Sequence, residues 1–170
     1  MNRVVNTTTI SNFAAADRLD LLRDTAGPLH LPIQVYDEII AGQIAGYAFY
    51  DGIEQHIAPF APDGWLRLVT MTDDELSLFA ALPLFLHQAD RACLSIARQR
   101  GWGLLSDDRS VRQQAQTWNI PLSGTLGVLL LAIQDGRLTV ETGNALLRAM
   151  VEHANYRTPT LDLAILLPPI

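Results

Sequence analysis

Lysine is absent from the chain: all twelve basic residues are arginine, set against eighteen acidic ones for a net charge of -6. That balance excludes a protein held on nucleic acid mainly by nonspecific phosphate attraction, which scales with the number of basic contacts. A local arginine patch remains open. Without lysine there is no P-loop, and neither GxSxG nor a GxGxxG after the first apolar segment occurs, so P-loop, Ser-His hydrolase and dinucleotide-binding chemistries lack their defining residues. The single cysteine, Cys93, excludes an intramolecular disulfide and a thiolate zinc site, and its apolar helical surroundings make it a core thiol. His30, His56, His87 and His153 show no HxxxH spacing and read as structural or surface groups. The longest apolar run, residues 128–133, is far too short to span a bilayer, and the N-terminus lacks the charged-then-apolar order of a signal peptide. A cytoplasmic protein without membrane attachment is expected.

What is present is a chain built to fold. Hydrophobic residues make up 49% of its 170 positions and charged residues 18%, which fits one domain over 1–170 with a substantial core. Short β-branched or apolar runs at 3–5, 29–31, 65–69, 102–105 and 120–122 read as strands. Between them lie helical patterns. Ile10, Phe13 and Ala14 share one face, Leu19, Leu22 and Ala26 a second, and Val35, Ile39 and Ile40 a third that starts at Pro32. Thr72 and Glu75 form a capping-box signature before an apolar stretch that Pro83 interrupts, and a helix over 86–100 with Ala89, Cys93, Ile96 and Ala97 inward stops at Gly101. Helices over 111–118, 125–134 and 141–155 follow, then an apolar 161–167 read either as a strand or as a docking tail. Short strands alternating with helices predict an α/β fold: a three-layer α/β/α arrangement around a central, mainly parallel sheet.

Ligands of such a sheet collect beyond the carboxyl ends of its strands, near the point where strand order reverses. The polar residues there are Asn6, Thr7 and Thr8, then Ser106, Asp107 and Asp108, then 123–125; Asp90 and Glu38 lie on the helices that feed these strands. Converging carboxylates repel one another and are best stabilised by a hard divalent cation, Mg²⁺ or Mn²⁺. Such an ion suits phosphate chemistry. The plainer reading is helix capping, with Asp107 or Asp108 capping the helix that opens at Arg109.

Val4-Val5-Asn6-Thr7-Thr8, Asp37-Glu38-Ile39, Ala89-Asp90, Leu104-Leu105-Ser106-Asp107-Asp108-Arg109 and Pro121-Leu122-Ser123-Gly124-Thr125-Leu126-Gly127 occur in the order found in PIN domains. The chain resembles that family over residues 3–138, closest to the toxin ribonucleases of bacterial toxin-antitoxin pairs, with 139–170 a C-terminal helix and tail. The resemblance implies a metal-dependent endoribonuclease with Mg²⁺ or Mn²⁺ held at four positions, Asn6, Glu38, Asp90 and Asp108, with Asp107 the alternative to Asp108. Thr8 matches a residue that orients this set, and Thr125 one beside it. It further implies an RNA substrate, a small antitoxin protein as partner, and a homodimer or higher oligomer; the apolar stretches 71–86 and 140–155 offer either partner surfaces or core faces. Asn6 stands where the family usually has Asp, and an amide brings no negative charge, so cation affinity should fall. Two readings stay open: a nuclease, or a catalytically impaired PIN-like module that works through protein contact. Arg91, Arg98, Arg109 and Arg112 are candidate phosphate contacts.

Overall fold

The computed structural model describes residues 1–168; the last two positions of the expected tail lie outside the described residues. The elements run β1 (Arg3–Val5), α1 (Thr7–Ala15), α2 (Leu19–Ala26), β2 (Leu29–Pro32), α3 (Ile33–Ile44), β3 (Ile57–Ala58), β4 (Leu66–Val69), α4 (Asp73–Ala81), α5 (Gln88–Arg100), β5 (Gly103–Leu105), α6 (Arg109–Thr117), β6 (Leu122–Ser123), α7 (Thr125–Gln134) and α8 (Val140–Ala154). Three 3-10 turns, Ala48–Tyr50, Ile53–His56 and Leu163–Leu166, complete the described residues.

All six strands pair in parallel, in the order β3-β4-β2-β1-β5-β6. Parallel neighbours need crossover connections, and helices supply them except between β3 and β4, which a loop over 59–65 joins. The three-layer α/β arrangement of the sequence is the one observed. Chain order reverses at β1, which has β2 on one side and β5 on the other, with Val5 level with Leu105. Asn6 and Ser106 therefore leave the sheet side by side, joined by a 2.9 Å bond from the Asn6 N–H to the Leu105 carbonyl.

Helix faces follow the apolar spacing. Ile10, Phe13, Leu22, Val35, Ile39, Cys93 and Ile96 are fully buried. Ile40 is only half-buried, because the turn of α3 that carries Val35 and Ile39 inward sets it at the edge. α5 starts two residues later than its apolar pattern, and pairing at the last strand is shifted to Leu122–Ser123, with Leu104 donating to the Pro121 carbonyl. β3 has no periodicity for a sequence to show. It forms because Gly64 lets the chain double back: a Cβ there would stand 2.2 Å from the Ala58 nitrogen. The 161–167 segment docks rather than pairing as a strand. Leu163 is buried against Gly143 of α8, where a Cβ would come within 2.8 Å of it. Leu84 and Phe85, after α4, stay largely exposed.

Candidate active site

Asn6 ends β1 in extended conformation and caps α1. Its Oδ1 accepts from the Thr8 backbone N–H and the Thr8 hydroxyl, both at 2.7 Å. The backbone donor fixes which end of the amide is oxygen, so Nδ2 faces the other way and donates to Asp90 Oδ1 at 2.5 Å. Both residues are buried, Asn6 1% and Asp90 7% exposed. Asp90 lies in the first turn of α5, where the helix dipole favours an anion. Burial outweighs that help: it pushes the Asp90 carboxyl up to about 6, with the charges of Asp108 and Glu38 adding to the rise.

Glu38 projects from α3 and accepts from the Thr7 hydroxyl through Oε2 at 2.5 Å. Asp108 caps α6, its Oδ1 accepting from the Val111 N–H at 3.0 Å. Asp107 is tied down more heavily. Its carboxylate accepts from the Thr125 N–H at 2.9 Å, the Thr125 hydroxyl at 2.6 Å, Asn12 at 3.2 Å, Thr9 at 3.3 Å and the Tyr156 hydroxyl at 3.4 Å. Of the two neighbouring acids, Asp108 is the helix cap and Asp107 the strut between β5, α1 and α7. Gly124 makes that strut possible, since a Cβ at this position would stand 2.6 Å from Asp107 Oδ1. Tyr156 is pushed well above the usual phenol range by burial first and then by the Asp107 charge.

Two clefts open over this end of the sheet. One, of about 510 Å³, is bordered by Thr8, Asp107, Asp108, Arg109, Tyr156 and Arg157. The other, of about 280 Å³, is bordered by Thr7, Glu38, Tyr47, Phe49 and Tyr50, and the two share Ser11, Ala154 and Asn155. The structure thus joins Asn6, Thr8 and Asp90 by hydrogen bonds, with Glu38 on the border of the smaller cleft and Asp108 on that of the larger.

A family model described as a PIN domain matches residues 2–166. The chain belongs to the PIN-domain family. The matched region takes in α8 and most of the docked tail as well as the motif-bearing part, and the fold is that of a nuclease family whose members generally use divalent metals. No curated protein sequence matches the chain.

The donor set tests how a cation would sit in this PIN domain. Among the described residues no three His, Cys, Asp or Glu side chains close on one point that would hold a metal ion. Asn6 turns an N–H toward Asp90, and its oxygen is engaged by Thr8. The bonds to Glu38 and Asp108 engage Oε2 and Oδ1, leaving Oε1 and Oδ2. Those residues fit a cation that takes one or two carboxylate oxygens and keeps water in the rest of its shell, the habit of Mg²⁺. Sequence reasoning passed over Ser11, Asn12, Tyr50 and Tyr156. Asn12 and Tyr156 reach Asp107 only through the tertiary fold, 95 and 49 residues away in sequence.

Proposed function

We propose that the chain is a metal-dependent endoribonuclease that hydrolyses RNA phosphodiester bonds with Mg²⁺ or Mn²⁺. One observation carries the reading: Asp90 is buried against Asn6 at the reversal point of the sheet, with Asp108 and Glu38 on the two neighbouring clefts. Asp90 with Asp108 or Glu38 would hold the cation through one or two carboxylate oxygens, and the ion would supply positive charge to polarise a phosphoryl oxygen and acidify water. Asn6 and Thr8 orient Asp90, and Arg109, on the rim of the larger cleft, receives a phosphate. The biological setting that suits this activity is the toxin of a toxin-antitoxin pair in the cytoplasm, with exposed Leu84 and Phe85 as a surface for the antitoxin or a second copy. Among the described residues no helix is long and apolar enough to cross a membrane.

The second reading, an impaired module acting through protein contact, is favoured by the Asn6–Asp90 bond, in which an amide N–H supplies the positive end that a cation otherwise brings. Cleavage of a mixed RNA pool in Mg²⁺ and in Mn²⁺ separates them. The nuclease reading expects metal-dependent cleavage by the wild type that is lost in Asp90→Asn. Silence from the wild type, with cleavage gained in Asn6→Asp, establishes the impaired module.

A further inference from the structure

We infer that the smaller cleft is a stacking site for an unpaired base of single-stranded RNA, with Tyr47, backed by Phe49, as its platform and Arg109 and Arg157 receiving phosphates in the neighbouring cleft. The inference deepens the nuclease reading and rests on it for the identity of the polymer.

Three aromatic residues occupy positions 47, 49 and 50, directly after α3. Tyr50 is buried and anchored by a hydrogen bond with Ser11. The Phe49 ring packs on it at 4.6 Å, and Tyr47 stacks on Phe49 at 5.6 Å with the planes 29° apart. Gly42 fixes the cluster against α3, since a Cβ there would lie 2.7 Å from the Tyr50 ring, and the Tyr47 N–H bonds the Gly42 carbonyl. Tyr47 ends this ladder 56% exposed, a large aromatic held in place but left uncovered. It borders the same cleft as Glu38, and that cleft shares Ser11, Ala154 and Asn155 with its neighbour, which holds Asp108, Arg109 and Arg157.

Charge explains why a platform is needed. A chain without lysine and with a net charge of -6 gains little from counterion release. Base stacking on aromatic faces contributes affinity without positive charge. It also selects single strands, because in a duplex the base faces are already stacked. The two cleft arginines supply the few ionic contacts.

Fluorescence anisotropy of a short single-stranded RNA tests this, in EDTA and again in Ca²⁺, beside the same oligomer made abasic and its duplex. The wild type should prefer the single strand to both controls. Tyr47→Ala should weaken binding about 5-fold or more, and Tyr47→Trp should retain it. With two arginines engaged, log affinity should fall against log salt with a slope no steeper than about -1.4. Equal binding by wild type and Tyr47→Ala, preference for the duplex, no binding in either buffer, or an effect of Tyr47→Ala on self-association alone would each overturn the stacking site. Cleavage followed in parallel keeps the two readings apart. An RNA-cleaving wild type with an indifferent Tyr47 ends the inference and leaves the nuclease, whereas Tyr47-dependent binding without cleavage keeps the inference and ends the nuclease.

Discussion

Asn6 sets an N–H rather than a charge against Asp90, so nothing there offsets the burial that, with the charges of Asp108 and Glu38, raises this carboxyl to about 6 from its ordinary 3.8. The native state therefore binds the proton more tightly than the unfolded chain does. Stability from this group is complete below the ordinary value and declines as pH rises through the folded one, by about 3 kcal/mol once both states are ionised. Asp90→Asn keeps an oxygen for Asn6 and removes the ionisation. Its melting temperature should exceed that of the wild type at pH 7 to 8 and converge with it near pH 4; parallel melting curves across that range would refute the assignment. Asn6, Asp90 and Asp108 stood out in the sequence because each sits at a strand end or helix start, whereas Glu38, in the middle of α3, joined them through the family resemblance. That Asn6 spends its oxygen on Thr8 was not legible there, since amide orientation is set by a turn no composition reveals.

At the level of elements, one ion pair clamps α4 to α5. Glu75 accepts from Arg100 Nε at 2.6 Å and Nη2 at 2.9 Å, and from the Thr72 N–H at 2.8 Å in the capping box. The Glu75 side chain is 2% exposed, and its carboxyl is held below the usual range chiefly by the Arg100 guanidinium. Removing the guanidinium leaves a buried carboxylate unpaired. Arg100→Ala should cost about 3 kcal/mol in urea unfolding at pH 7. The loss should shrink in acid, as Glu75 takes up a proton; a pH-independent cost would mean that packing on Trp102, 4.8 Å away, is what Arg100 provides. The capping half of this device was visible as Thr72 and Glu75 three residues apart. Its arginine half, 25 residues on, was not. β3 was invisible for a related reason: two residues carry no period, and Gly64 matters only where the chain returns on itself.

For the whole molecule, the tail closes the site from outside. Leu163 fills the notch over Gly143, Asn144 holds the Leu163 N–H at 2.8 Å, and the segment between α8 and this anchor places Tyr156 against Asp107. Leu163→Ala should cost about 2 to 4 kcal/mol and lower the melting temperature by about 5 to 10 °C. Faster backbone exchange at 156–157 should accompany it. Unchanged exchange there would show that Tyr156 is held by Asp107 alone.

Strand ends, helix starts and the residue types at them are local properties, written by apolar spacing, capping residues and glycine, and they gave the sequence its parallel α/β layout and, with the family resemblance, its four candidate site positions. Strand order, the two neighbouring clefts, the fan of hydrogen bonds on Asp107 and the raised Asp90 depend on which groups meet across long stretches of chain. Those were decided by the tertiary structure, because desolvation and hydrogen-bond partnership are properties of a position in space rather than of a position in sequence.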